Sequence, residues 1–385
     1  MTTLLEDFGL DDLQLGSAQL SLSRIAQFLE ERVLPVASRL DREPAALFDM
    51  FESVGELRLL TPKVPQVWNA THSSDACLSS REYQRLQAMI ATYSGALTFL
   101  LAQHQSAASF IQASENEAIR AAYLSSMGSG KKRVGVGFSH LRRKKPPALA
   151  QKADGGYLFS GEVPWVTGAG LFEEFVGAAV LPSGEAVFGL LPLANSKGDL
   201  NGALLVSEPM AMAGMAATRT VSVQLNNWFV AEEKALGLRP AGWLRRRDRV
   251  NPLSPMGMIL GCATGACRVL TESLRRRQIT LDRVKPLLEE RTELLETLEM
   301  VLDLPESEHD QKIALRGRAI AFMNKCTQAA MIASGGAANA MDHPARRVYG
   351  EALVFSVSGQ TNEGAIASLE ALIPSHSSDR EFVNV

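Results

Sequence analysis

Apolar residues recur at three- and four-residue spacing along the first third of the chain. Ile25, Phe28, Leu29 and Val33 form one such stripe and predict a helix with a single buried face. Pro35 predicts an interruption, because proline has no amide hydrogen for the helical ladder. Ala46, Leu47, Met50, Phe51 and Val54 form a second stripe, with Gly55 near its end and Pro62 soon after, the usual order of helix stop signals. Residues 83–111 are apolar on most faces through Leu86, Met89, Ile90, Leu97, Leu100 and Leu101, which predicts helix enclosed by other helices. The grammar changes from about 128 to 242. Val134, Val136 and Phe138 alternate with small residues, and Tyr157 and Phe159 alternate around Leu158. The runs 175–180, 187–191 and 221–225 are short, β-branched or aromatic, and bounded by Gly, Pro, Asn or Ser. Several such strands predict a compact antiparallel barrel or sandwich. Helical periodicity returns after Pro252. In 284–302, Val284, Leu287, Leu288, Leu294, Leu295, Leu298, Val301 and Leu302 share one face, opposite Glu289, Glu290, Glu293, Glu296 and Glu299. Helices are also predicted over 253–278, 308–334 and 345–372, and four amphipathic helices with short links read as a bundle.

The predicted fold is therefore α+β and mostly α. It comprises an N-terminal helical domain (1–127), a middle antiparallel β-barrel or sandwich domain (128–242) and a C-terminal four-helix bundle domain (243–385). A length of 385 residues suits two or three domains. A content of 46% hydrophobic and 21% charged residues is that of an ordinary globular chain. The net charge of −3 excludes a global basic field for nucleic acid, though not a local basic patch. Cys77, Cys262, Cys267 and Cys326 form no CxxC pair and have no histidine at zinc-finger spacing, so they read as buried thiols of a reducing cytoplasm, with no metal site. The first ten residues carry acids and no basic stretch, which argues against a signal peptide. No window reaches ~18 uninterrupted apolar residues, so no membrane span is predicted.

The most specific local pattern is Gly155-Gly156-Tyr157-Leu158-Phe159-Ser160-Gly161-Glu162-Val163-Pro164-Trp165-Val166-Thr167-Gly168. It resembles the strand G-Y-x-L-x-G-x-K-x-W-I-T-N of the middle domain of the acyl-CoA dehydrogenases. Other stretches agree in order: residues 51–62 with L-x-x-x-G-L-x-x-x-x-x-P, Val230-Ala231-Glu232 with V-P-x-E, and Ser334-Gly335-Gly336, His343-Pro344 and Gly350-Glu351-Ala352 with G-G-x-G … P … R-D-A. The resemblance spans nearly the whole chain and implies FAD in the cleft between the β domain and the C-terminal bundle. In that family a carboxylate removes the α-proton of an acyl thioester while hydride moves to flavin N5, so base and flavin must sandwich the substrate.

The resemblance assigns roles residue by residue. Trp165 would pack against the isoalloxazine and the Thr167 hydroxyl would bond near N5; alternate strand residues facing one side suit this spacing, and a core Trp beside an edge Thr is the plain alternative. Ser139 falls where family hydroxyls bond the flavin pyrimidine, or is a turn serine. Arg276 falls where an arginine reaches FAD phosphates across a dimer interface, although three arginines in a last helical turn also suit the helix dipole. Gly335 and Gly336 would let backbone approach the pyrophosphate or would cap a helix. Thr361 aligns with a threonine that touches the diphosphate. The run Arg142-Arg143-Lys144-Lys145 reads as a rim for CoA phosphates or as a solvated loop, which charge runs usually are. Gly359 stands where the family has its catalytic glutamate, and glycine abstracts no proton. Glu363, four residues on, is the alternative base if one helix continues through both. His104 is a second catalytic candidate, set against the role of a satisfied core histidine.

The expected function is thus an FAD-dependent, acyl-CoA dehydrogenase-like oxidoreductase acting on acyl-CoA or another small molecule. The alternatives are a reduced-flavin-dependent monooxygenase on the same scaffold, or an inactive homologue that acts as a binding protein. An electron-acceptor protein or a flavin reductase would be the redox partner, and the family implies a homodimer or homotetramer.

Overall fold

The computed structural model describes residues 22–65, 77–199 and 201–373. The first ten residues, on which the signal-peptide expectation rests, lie outside them. In the N-terminal part, α1 (Leu22–Phe28) passes through a π turn and a 3-10 turn around Pro35 into α2 (Ala37–Arg42), followed by α3 (Pro44–Glu56). The proline is accommodated by changing the helical pitch, and the predicted stripe of Ile25, Phe28, Leu29 and Val33 is buried. The apolar stretch 83–111 is divided between α4 (Ser80–Tyr93) and α5 (Gly95–Gln112). Ser94 breaks it, in extended conformation, with its side chain accepting from the Leu97 amide as an N-cap. Then follows α6 (Glu117–Gly128).

The middle part is a single nine-stranded sheet. Its strands are β1 (Val134–Gly137), β2 (Ala148–Ala153), β3 (Gly156–Val166), β4 (Glu174–Val180), β5 (Ala186–Pro192), β6 (Ser196–Lys197), β7 (Ala203–Val206), β8 (Val221–Ala231) and β9 (Ala235–Arg239). The order is β6-β7-β8-β3-β2-β4-β5-β9, with β1 on β4. Most pairs are antiparallel as expected, but β1 and β2 pair with β4 in parallel, which makes the sheet mixed.

The C-terminal part holds α7 (Trp243–Val250), α8 (Met256–Arg276), α9 (Lys285–Leu302), α10 (His309–Ser334), α11 (Pro344–Val357) and α12 (Asn362–Leu372). The helix expected over 345–372 is therefore two helices. Gly257, Gly261 and Gly265 of α8 face the carbonyls of Gln84, Ala88 and Thr92 in α4. A Cβ at these glycines would stand 2.3, 2.3 and 2.5 Å from those oxygens, so only glycine permits this approach. One continuous core runs through Phe51, Leu97, Phe172, Ile259 and Phe322, joining helices of both ends to the sheet. No described helix is long and apolar enough to cross a membrane.

Candidate functional site

On the sheet, β3 and β8 lose register between Val163 and Val166, where β3 carries one extra residue. This bulge turns Trp165 outward: it is 47% exposed, whereas Val163 and Val166 are fully buried. Bulges commonly re-aim a side chain in this way. The expected alternation does not carry on to Thr167, because β3 ends at Val166 and Gly168 has φ +99. Thr167 is buried and shares a 3.1 Å hydrogen bond with the Thr220 hydroxyl. Two hydroxyls with one bond between them keep one proton to donate elsewhere. A Cβ at Gly135 would meet the Thr167 carbonyl at 3.2 Å, and one at Gly137 would meet Val166 at 2.8 Å, so β1 lies tight against this end of β3. Ser139, half-buried, opens the 3-10 turn Ser139–Arg142 that follows β1. The buried His140 Nε2 bonds the Ala178 carbonyl, and Arg142 makes a two-pronged bond to Asp248 of α7 at 2.7 and 2.9 Å.

His104 lies behind this surface, fully buried, with its ring stacked on Phe172 at 5.9 Å and edge-on to Phe51 at 5.5 Å. Nδ1 lies 3.2 Å from both the amide and the carbonyl of Val134, and Nε2 lies 3.2 Å from the Met127 carbonyl. Burial pushes its pKa down to about 4. As placed, His104 ties α6 to β1.

On the bundle side, α11 ends before Gly359, which has φ +62. Thr361 then caps α12, its hydroxyl accepting from the Gly364 amide at 3.1 Å. This break overturns the premise that Gly359 and Glu363 share one helix face. Arg316 of α10, 3% exposed, donates to the Ser358 and Gly359 carbonyls at 3.0 and 3.1 Å and holds the turn from beneath. Burial lowers its pKa to about 10. Glu363 accepts from His309 Nε2 at 2.9 Å and pairs with Arg249 at 3.5 Å. At the other end of the bundle, Arg276 pairs with Glu272 at 2.8 Å, while Arg277 donates to the Ala333 carbonyl, one helix end away from Gly335 (φ +67) and Gly336. Arg276 and the glycine pair thus end neighbouring helices, α8 and α10.

Sequence reasoning missed Arg316, His309 and a buried cluster around Glu351. Glu351 is fully buried; both its oxygens accept from Arg347 Nη1 at 2.8 and 2.9 Å, and the Gly95 amide donates to it at 2.8 Å. A Cβ at Gly95 would come within 2.8 Å of that carboxyl. Burial raises the Glu351 pKa to about 7. Nearby, buried Asp41 accepts from the Met215 amide at 2.7 Å. The signal was present as Gly350-Glu351-Ala352, but sequence alone attached no contact to it. A cavity of about 350 Å³ lies between α4, α8 and α9, lined by Gln84, Ala88, Leu260 and Leu298 among others, and by none of the candidate site residues. Among the described residues no group of three or more His, Cys, Asp or Glu side chains is placed to hold a metal ion.

This arrangement of helices, mixed sheet and helices is the acyl-CoA dehydrogenase fold. The chain superposes on glutaryl-CoA dehydrogenase from Mycobacterium smegmatis with a TM-score of 0.75 at 14% identity, covering 96% of this chain and 97% of that one. A glutaryl-CoA dehydrogenase from the same organism in complex with FADH2 gives a TM-score of 0.73 at 13% identity, covering 91% and 92%. Butyryl-CoA dehydrogenase from Megasphaera elsdenii gives 0.71 at 15% identity, covering 92% and 100%. The sequence matches no protein-family model and no curated protein.

Proposed function

We propose that the chain is an FAD-dependent oxidoreductase acting on an acyl thioester, with the flavin ring against Trp165 and Thr167 and the thioester against the turn between α11 and α12. The observation that carries this reading is the bulge that turns a half-exposed indole outward, two residues before the buried Thr167–Thr220 hydroxyl pair. An indole face offers a planar apolar platform, and the threonine pair keeps one donor. Those two features fit an isoalloxazine, and FAD, when bound, supplies a two-electron acceptor. Thr361 is the proposed contact to the FAD phosphates from one copy, with Ser139 on the pyrimidine side; Arg276, Gly335 and Gly336, at the far end of the bundle, would reach the phosphates of a second copy's FAD across the dimer interface. Glu363 is the proposed base: its carboxylate is held by His309 and Arg249, and its role is to take the α-proton. His104 serves the site by positioning β1.

We place the units at 1–127, 128–242 and 243–385, in a cytoplasmic protein that assembles as a homodimer or homotetramer. Leu353 and Val357 of α11 and Ile366, Leu369 and Leu372 of α12 are large apolar side chains left 43–65% exposed, and a second copy is the natural cover for them. An absorption spectrum with and without added FAD tests the reading directly. A yellow protein that bleaches anaerobically with acyl-CoA, and no longer bleaches as Glu363→Gln, supports it. Trp165→Ala should release FAD while leaving the fold intact by circular dichroism.

One observation favours a second reading. The 358–361 turn carries no carboxylate, and both Glu363 oxygens are already engaged, which weakens it as a base. A flavin-bound scaffold with no α-proton to abstract would suit a monooxygenase fed by a reductase, revealed by oxygen uptake only when reduced flavin is supplied. A colourless protein indifferent to FAD would instead be a binding homologue.

A further inference from the structure

Residues 142–145 are all cationic, and α7 adds Arg245, Arg246, Arg247 and Arg249, against the single carboxylate of Asp248, in a chain whose net charge is −3. The rest of the chain is correspondingly acidic. The Arg142–Asp248 bond joins the two segments and occupies that carboxylate. Arg143, Lys144, Lys145, Arg245, Arg246 and Arg247 are exposed, and among the described residues none is paired with a carboxylate. Like charges crowd here without internal neutralisation, which costs stability unless an anionic partner repays it.

Three features define that partner. First, the apolar side of α7 is already spent: Leu244 is 2% exposed, and Trp243 packs edge-on against Phe110 and Phe188 at 5.8 and 5.5 Å. A membrane-surface helix needs that side for lipid, so an anionic bilayer does not suit. Second, the patch spans an eight-residue helix, about 12 Å long, together with the neighbouring loop, more surface than the phosphates of one CoA occupy. Third, it abuts the candidate site: the Arg249 guanidinium reaches Glu363 at 3.5 Å, and the Arg249 carbonyl accepts from His309 at 3.0 Å.

We propose that this surface docks a small acidic carrier protein that presents the acyl group as a thioester on a phosphopantetheine arm, an inference that rests on the acyl-thioester reading above. Complementary charge steers such a partner and fixes its register, so that the arm enters beside the α11–α12 turn. The test is fluorescence anisotropy of the full-length protein with a labelled, octanoyl-loaded acyl carrier protein, beside octanoyl-CoA and a single-stranded oligonucleotide. The carrier should bind with steep salt dependence. The pair Arg245→Glu and Arg246→Glu should weaken it at least about tenfold while octanoyl-CoA shifts less than about twofold. The milder pair Arg245→Gln and Arg246→Gln, checked for folding by circular dichroism, should weaken it in the same direction. The inference is overturned if the carrier does not bind, if either variant pair leaves its binding intact, or if octanoyl-CoA weakens equally, since the patch would then serve CoA phosphates. It is equally overturned if the oligonucleotide binds as tightly with the same sensitivity. Anisotropy requires no flavin, so the two readings fail separately. A yellow protein bleached by octanoyl-CoA yet blind to the carrier loses only the docking surface; a colourless protein that still binds the carrier loses only the flavin chemistry.

Discussion

Two buried arginines of the C-terminal bundle, Arg347 and Arg316, are 4% and 3% exposed, yet they live in opposite surroundings. Arg347 meets the carboxylate of Glu351 through both oxygens, and that carboxylate in turn holds the Gly95 amide at the start of α5. Among the described residues Arg316 hydrogen-bonds to oxygens of neutral groups alone: the carbonyls of Pro252, Ser358 and Gly359, and the Gln360 side chain at 3.5 Å. The first pair fastens the bundle to the N-terminal helices. The second guanidinium lies under the turn where the family resemblance places a catalytic glutamate, and its Nη2 donates to the carbonyls that follow α11, while its buried Nε has no hydrogen-bond partner among the described residues. One buried arginine thus faces a carboxylate, while the other faces carbonyls at a turn that carries Gly359.

The sharpest way to break the contrast is to remove each arginine. Arg347→Met strands Glu351 in the interior and should cost about 3–5 kcal/mol by urea denaturation. Arg316→Met strands no charge, only turn carbonyls, and should cost about 1–3 kcal/mol. Equal losses would mean that the carboxylate is not what separates the two sites.

The pH dependence sharpens it next. Glu351 has a folded pKa raised to about 7, so its contribution is fully present below its unfolded value, near 4.5, and is lost as pH rises through 7. His104 and His140 have folded values lowered to about 4, so theirs are present above 6.5 and are lost as pH falls through 4. On acidification from pH 7 to 4.5 the two effects oppose. Glu351→Gln removes the opposing one, and its urea midpoint should fall more steeply over that interval than that of the parent.

How much of this was legible in sequence depends on whether a local rule or a partner set the outcome. The stripes at Ile25–Val33 and Leu47–Val54 follow helical period and are buried as expected. Strand β2 reads Ala-Leu-Ala-Gln-Lys-Ala, a composition without strand preference, and exists because β3 pairs along its length. The split of 345–372 falls in the polar run 358–363, where Gly359 and the N-cap Thr361 signal a break, but a lone glycine is a weak stop signal and is easily passed over. In the site, the residue types at 165 and 167 were readable, but the bulge that aims the indole arises from register with β8. Arg316 could not be found at all, since its role lies entirely in what α10 places beneath a distant turn.

Restoring the missing carboxylate probes the same contrast more finely. At Gly359 a Cβ meets nothing within 4 Å, but the φ of +62 strains any other residue. Gly359→Gln should therefore cost about 1–2 kcal/mol. Gly359→Glu pays the same strain but brings a carboxylate to Arg316, and should be more stable than the Gln variant by about 1 kcal/mol at low salt. In a Glu363→Gln background, Gly359→Glu should also return bleaching by acyl-CoA.

The smallest effect belongs to Arg276, whose side chain is exposed and whose pairing with Glu272 is a surface i, i+4 contact at 2.8 Å. Such pairs contribute about 0.3–0.5 kcal/mol, so Arg276→Ala should leave the urea midpoint almost where it was. That near-neutrality makes it informative. Truncating Arg316 or Arg347 disturbs packing, so any loss of cofactor there is ambiguous. An Arg276→Ala protein that folds normally yet releases FAD on gel filtration would show that this arginine, unlike the two buried ones, is kept for a ligand; full retention of FAD would return it to the helix dipole at the end of α8.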